Sequence, residues 1–274
     1  MKFDLHCHSH FSDGALTPTE LIALAVERGV THLALTDHDT LAGLPELRAA
    51  SEQSAVQIIN GVELSCEWRH QLLHVLGLNV DPDNDLLRAG IRRNTEQRFA
   101  RAEAMYREFE RQDINLRAEV AAQLPPDSVP TRPHFAQALV NLGVVKNKNK
   151  AFKKFLVRGK PGFVPMVWPD IAEVSEWIQA AGGVAVLAHP LRYKFTRSKL
   201  VRLIKDMLAV GIEGMEVSTG NTDTQQCEML AILAQRHGLL ASMGSDFHTP
   251  NQPWAALGTA APLAQSLTPV WSRF

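Results

Sequence analysis

The sequence predicts an α/β fold: a parallel sheet closed as a barrel, covered by helices and interrupted by a helical insert. Three observations predict it. A unit of helix, glycine, apolar strand and polar terminus occurs four times. The opening strand and three of those four units end in histidine or an acid. A stretch from about 81 to 165 breaks the rhythm with charged helices. Strands that are apolar throughout and joined by helices belong to a parallel sheet buried on both faces.

The chain enters a strand at once, Lys2-Phe3-Asp4-Leu5-His6-Cys7-His8, and turns at Asp13-Gly14. Residues i and i+2 of a strand share a face, so His6 and His8 present two imidazoles side by side. Asp13 can bend back toward them. Thr17-Pro18-Thr19-Glu20 reads as a helix start, with an N-cap, a proline in the first turn and a capping-box acid. The helix runs from Leu21 to Arg28 and stops at Gly29. A strand from Thr31 to Leu35 then ends in Thr36-Asp37-His38-Asp39. Two further strands lie between Ala55 and Val80, with Glu63 and His74 inside apolar runs. A charge in such a run is costly unless it is paired or holds a cation. His74 on its own reads equally as a core histidine.

Leu86 to Gln112 reads as a long charged helix, Pro125-Pro126-Asp127 as a loop, and Pro133–Leu142 and Asn149–Leu156 as short helices. Lysines from Lys146 to Lys160 read either as a solvated face or as a lid that brings cations to an anion. Arg132 and His134 fall at a helix start, where backbone N–H groups favour anions. Beyond the insert, helices at Ile171–Ala181, Lys199–Val210 and Asp223–His237 each meet glycine. Strands Val184–Ala188, Ile212–Val217 and Leu239–Met243 follow them. The first ends in His189-Pro190, the second carries Glu216, and the third ends in Gly244-Ser245-Asp246-Phe247-His248. Trp254 and Trp271 in the tail read as packing residues. The expected division is a barrel of residues 1–80 and 166–274 and an insert of residues 81–165, a substrate lid.

Composition narrows the class. With 274 residues, 45% of them hydrophobic, the chain can bury a sizeable core. A formal net charge of -1 advertises no global field for nucleic acid, and duplex DNA is not expected as a partner. Cys7, Cys66 and Cys227 are too scattered for a disulfide framework, which points to a reducing, cytoplasmic setting. No apolar run reaches the ~18 residues of a membrane helix.

The strand ends gather His6, His8, Asp13, His38, Glu63, His74, His189, Asp246 and His248. These six imidazoles and three carboxylates are too many for one ion. Two or three divalent ions bridged by Glu63 would use them. Such a site lowers the pKa of a bridging water and clamps a phosphoryl group. Mixed nitrogen and oxygen ligation favours Mn2+, Zn2+ or Fe2+ over Mg2+ or Ca2+.

Asp4-Leu5-His6-Cys7-His8 with Ser12-Asp13-Gly14, Thr36-Asp37-His38, Gly61-Val62-Glu63, His74, Ala188-His189-Pro190 and Ser245-Asp246-Phe247-His248 together resemble the PHP (polymerase and histidinol phosphatase) family of the amidohydrolase superfamily. The resemblance implies a distorted (β/α)7, TIM-like barrel and a trinuclear metal centre, with Mn2+ the expected metal. It implies one ion on His6, His8, Glu63 and Asp246, a second on Glu63, His74 and His189, and a third on Asp13, His38 and His248. Some relatives carry histidine where this chain has Asp13.

Arg132-Pro133-His134-Phe135, Gly159-Lys160-Pro161 with Val164-Pro165, and His189-Pro190-Leu191-Arg192-Tyr193 resemble the branch acting on nucleoside 3′,5′-bisphosphates and on 5′ ends of short RNA. The resemblance implies a phosphoric monoester hydrolase that takes a nucleoside 3′,5′-bisphosphate such as pAp to AMP and phosphate. The expected step is in-line attack by a metal-bridging hydroxide. Arg132, His134, Lys160 and Arg192 are the candidates for the second phosphate, and Asp246, His189 and His248 for catalysis. His189, His248 and a bound water are the candidate acids for the leaving oxygen. Asp37 and Asp39 read either as partners of the imidazoles or as helix caps. A 5′-3′ exoribonuclease on short 5′-phosphorylated RNA is the close alternative. A catalytically inactive metal-binding module is the alternative of another class, and the complete set of ligand positions argues against it.

Overall fold

The computed structural model describes residues 1–126 and 128–274, and the loop reading at Asp127 lies outside the described residues. Seven strands follow one another around a single sheet: β1 (Phe3–Cys7), β2 (His32–Leu35), β3 (Gln57–Trp68), β4 (Gln71–Leu78), β5 (Val184–Leu187), β6 (Gly214–Thr219) and β7 (Leu240–Gly244). Backbone bonds from Asp246 N to His6 O and from His8 N to Phe247 O draw β7 back to β1. The barrel therefore closes at the strand ends that carry the histidines. Gly244 permits this, because a Cβ there would lie 2.4 Å from the Cβ of His6.

The sheet departs from the expected parallel pattern at one strand. β4 runs antiparallel to both β3 and β5, whereas every other pair is parallel. The cause is local. Only Arg69 and His70 separate β3 from β4, and so short a link can make a hairpin but not a parallel crossover.

The helices are α1 (Pro18–Glu27), α2 (Leu44–Ser51), α3 (Asp85–Glu110), α4 (Arg117–Ala121), α5 (Arg132–Asn141), α6 (Lys148–Ala151), α7 (Ile171–Ala180), α8 (Arg197–Ala209) and α9 (Thr224–His237). Thr17 and Glu20 form the expected capping box on α1. One core packs β3–β7 against α7, α8 and α9 through residues such as Leu64, Trp177, Leu203 and Leu233. A separate core built from Met105, Phe109, Phe135, Leu139 and Phe155 holds the helices of the 81–165 segment together. The change between them falls inside α3. Leu87 belongs to the barrel core, while Met105 and Phe109 belong to the other. No helix among the described residues is long and apolar enough to cross a membrane.

Candidate active site

The nine strand-end residues converge. Glu63, fully buried on β3, is the hub. Its Oε1 lies 2.9 Å from both His74 Nδ1 and His189 Nε2. Its Oε2 lies 3.4, 3.2 and 3.0 Å from nitrogens of His6, His8 and His38. The two oxygens thus serve two different sets of imidazoles. Asp246 Oδ1 stands 3.4 Å from Nε2 of both His6 and His8. Asp13 Oδ1 faces His248 at 3.3 Å, His38 at 3.8 Å and His8 at 3.9 Å.

These donors fit divalent ions. Atoms of four sets lie within 4.8 Å of one another: His8, Asp13, His38 and His248; His6, Glu63 and His189; His6, His8 and Asp246; and His38, Glu63 and His74. Asp13 Oδ1, His38 Nδ1 and Glu63 Oε2 are buried with no hydrogen-bond partner. His38 Nδ1 and Glu63 Oε2 are close yet not aligned as a hydrogen bond. Lone pairs converging on a shared space are what a cation requires, and buried polar atoms are otherwise paired.

Electrostatics agree. Burial opposes ionisation of Glu63, but His38, His74 and His6 override it and hold its carboxyl well below the usual range. Asp13 and Asp246 are held down in the same way, chiefly by His248 and His6 respectively. Burial also opposes charge on His8, and Asp246 and Glu63 prevail there, pushing it up to about 10. At His38 burial wins, and its pKa falls to about 4.

Two of the candidate residues hold strained backbone. His189 (φ 30°) and Asp246 (φ 54°) are left-handed. Such conformations cost about 1–3 kcal/mol and persist where the surroundings enforce them, often at functional sites. Here the His189 N–H donates to Glu216 at 2.5 Å. Glu216 also accepts from His6 Nδ1 at 2.9 Å, which leaves Nε2 of His6 facing the cluster. The sequence marked Glu216 only as lying near a strand end. Asp37 and Asp39 touch no clustered imidazole. Asp37 accepts from Ser9 and Ser12, and Ser12 in turn meets His8 Nδ1 at 3.4 Å. Asp39 binds Ser65 N, Asn94 and Arg98.

A cavity of about 700 Å³ opens beside Asp13, His38 and His248, walled by His134, Lys148, Arg192, Gln252 and Trp254. His134 Nδ1 accepts the Thr131 N–H at 3.0 Å, so its Nε2–H is the free donor. Burial lowers its pKa and favours this neutral form. Arg132 stands near Arg98, Arg101 and Asp13, and burial with the Arg98 charge lowers its pKa. Burial and the Arg132 charge pull Arg101 down to about 10. Of these three half-buried guanidiniums Arg98 is paired with Asp39, while Arg101 and Arg132 have no carboxylate partner among the described residues. Sequence reading missed Arg98 and Arg101, although buried Asn94, at the i–4 position to Arg98, marks a polar stripe on the buried face of α3.

Lys160 is exposed and lines neither this cavity nor the one at the cluster, whereas Lys148, from the lysine-rich turn, lines the first. Trp254 is 59% exposed on the cavity wall, so it is no packing residue. Trp271 does pack, stacked on Phe3 at 4.0 Å.

A PHP domain is matched over residues 4–150. The chain belongs to the PHP family. It is 41% identical over 273 residues to a 5′-3′ exoribonuclease of Haemophilus influenzae, covering 100% of this chain and 99% of that one. It is also 41% identical over 272 residues to a 3′,5′-nucleoside bisphosphate phosphatase of Chromobacterium violaceum, covering 98% and 95%. An amidohydrolase structure from Chromobacterium violaceum with bound sulfate superposes with a TM-score of 0.92 at 40% identity, covering 99% of this chain and 95% of that one. The PHP barrel of this chain is thus shared with relatives named for two related phosphoester reactions.

Proposed function

We propose that this PHP protein is a Mn2+-dependent phosphoesterase of the cytoplasm that hydrolyses the 3′-phosphate of nucleoside 3′,5′-bisphosphates, such as pAp to AMP and phosphate. The observation that carries the reading is the junction of two charge systems. His134 and Lys148 of the 81–165 segment wall a cavity whose other side carries Asp13, His38 and His248, and Arg132 stands near that same Asp13. A substrate with two phosphates spans such a junction.

In this reading the ligands are His6, His8, Glu63 and Asp246; Glu63, His74 and His189; and Asp13, His38 and His248. Two or three bound ions supply a nucleophilic water at neutral pH and neutralise phosphoryl oxygens. Zn2+ and Fe2+ suit the same donors. Glu216 holds His6 in the ligating tautomer. Asp246 orients the attacking water opposite the ribose 3′ oxygen. Arg192, whose guanidinium pairs with Asp246, meets the charge that develops on the phosphoryl group. Arg132, Arg101 and the His134 Nε2–H take the 5′-phosphate. The 81–165 segment is the lid that delivers them. Trp254 offers a stacking face for the base. If Nε2 of His189 and of His248 held an ion, neither would have a proton to give there; His248 Nδ1 is engaged with the Asp246 carbonyl and His189 Nδ1 lies on the side of its ring away from Glu63, so water would protonate the leaving oxygen.

The experiment is to compare kcat/KM of the Mn-loaded protein on nucleoside bisphosphates, histidinol phosphate and 5′-phosphorylated oligoribonucleotides. Preference for histidinol phosphate would overturn the reading. Exoribonuclease action on short RNA is the second reading, favoured by a further cavity that shares His189 and Arg192 with the one over the cluster.

A further inference from the structure

On the far side of the cluster from the large cavity lies a second one of about 430 Å³, within the ~300–1,000 Å³ of small-molecule sites. Three cavities form a row. His38 and His248 line both the large cavity and the small one over the cluster, His189 lines that small one and the second cavity, and Arg192 lines all three. The second cavity has cations at Arg192 and Lys194, neutral hydrogen-bonding groups at Thr219, Asn221, Thr222 and Gln226, and an apolar floor at Leu191 and Leu230. No acid is among the described residues lining it. Asp223, next to Thr222, is turned to α9, where it accepts the Gln226 N–H.

Its cationic wall is braced. The turn from Pro190 to Tyr193 is bracketed by left-handed His189 and Lys194. Tyr193 Oη donates to Ala188 O at 3.0 Å and accepts from His74 N at 2.9 Å. Thr219 and Thr222 hydrogen-bond each other at the end of β6. In barrels the loops at the carboxyl ends of strands build the site, and here the loop after β6 contributes no metal-ligand candidate. It serves something else.

We propose that this cavity receives the second nucleotide of a 5′-phosphorylated RNA, an inference that rests on the phosphoesterase reading above. The first nucleoside occupies the large cavity with its 5′-phosphate toward Arg132. Its 3′-phosphate lies at the cluster. In a bisphosphate the outer oxygens of that group end there. In RNA one of them is esterified to the next ribose, which leaves the cluster past His189 and Arg192. Hydrolysis adds water oxygen to phosphorus and breaks the bond to the first O3′, which takes a proton. The phosphate stays on the second nucleotide as a new 5′-phosphate. A polar, acid-free cavity with an apolar floor suits a ribonucleotide and has no use in removing a terminal phosphate.

The test compares pAp with the dinucleotide pApA on the Mn-loaded full chain. The double variant Lys194→Ala, Asn221→Ala should lose about tenfold or more in kcat/KM on pApA, and pAp should stay within about twofold. Thr222→Trp, which fills the cavity, should show the same selectivity if the double variant folds poorly. Binding of a methylphosphonate-linked pApA analogue, read by calorimetry, should weaken in the same order. Equal loss on both substrates, or undiminished pApA turnover in both variants, overturns the subsite. Wild-type protein that hydrolyses pAp but not pApA overturns the subsite and leaves the phosphatase reading standing. Turnover of neither overturns both. Turnover of pApA alone sinks the bisphosphate reading and supports the subsite.

Discussion

The strand ends of the barrel and the helices of the 81–165 segment both present charge to the same cavity, but they do it by different means. At the strand ends, carboxylates and imidazoles are buried or partly buried on short side chains, and backbone geometry fixes them. His6 is set by β1, His8 just past its end by the bond from its N–H to Phe247 O, and Asp246 by a left-handed turn after β7. In the segment, arginines lie half-buried on long side chains, held by Asp39, by the Val164 carbonyl and by stacking on Trp168. The first region fits small ions, which demand fixed distances. The second suits a phosphate, which tolerates some adjustment. Substitutions should therefore be sharply graded between the two.

The steepest loss should come from Asp246→Asn. Both residues accept a left-handed backbone and differ little in volume, so the fold should stand. In the proposed scheme the lost charge weakens a metal ligand and the orientation of the attacking water. Turnover should fall on the order of 10²-fold or more, with the far-UV spectrum unchanged. Near-wild-type kcat/KM in this variant would take Asp246 out of the mechanism. Elemental analysis of wild-type protein grown with Mn2+ should find at least two divalent ions per chain, and less than one in active protein would end the multinuclear scheme.

Next come Arg132→Ala and Arg101→Ala. A charge-assisted contact is worth about 1.5–3 kcal/mol, so each should cut kcat/KM for a bisphosphate roughly 10- to 150-fold. A simple phosphate monoester has nothing for these side chains to hold and should lose far less. Equal loss on both substrates would make the arginines structural.

The two regions also differ in how far they could be read from sequence. At the strand ends the signals are local. An apolar run that stops in histidine or aspartate is visible within ten residues, and His6-x-His8 gives its own geometry. Glu216 is the exception there. It lies 210 residues from His6, the partner that explains it, and no neighbour in sequence announces the pairing. In the segment, Arg98 and Arg101 sit in a helix so rich in charge that no single arginine stands out. Only buried Asn94 on the same face separates them from the solvated ones. The reversal of β4 was legible in principle, since two residues cannot carry a parallel crossover, but alternation elsewhere in the chain argued for a parallel strand.

Glu216→Gln lies between the regions in expected effect. An amide oxygen can still accept from His6 Nδ1, but its NH2 then faces the His189 N–H that Glu216 also accepted, and the ring loses its charged partner. Partners of this kind typically tune metal affinity about 10- to 100-fold. The variant should need more Mn2+ for half-activity while kcat at saturating metal changes little. A fall in kcat with unchanged metal demand would assign Glu216 to the reaction itself.

The smallest effect sharpens the boundary of the lid. Lys148 and Lys160 carry the same charge, and only Lys148 lines the cavity. A flexible ammonium at a solvent-open wall contributes about 0.2–1 kcal/mol, so Lys148→Ala should lower kcat/KM for a bisphosphate by about 1.5- to 5-fold. Salt should shrink the difference, because an exposed charge is screened within about 8–10 Å at physiological ionic strength. Lys160→Ala should stay within about 1.5-fold at any salt concentration, since its side chain reaches solvent away from the cavity. A reversal, with Lys160 the more costly of the two, would mean that the turn around Gly159 folds over the cavity when substrate binds. The lid would then have to move by more than side-chain adjustment, and the fixed arginines alone could not account for recognition of the second phosphate.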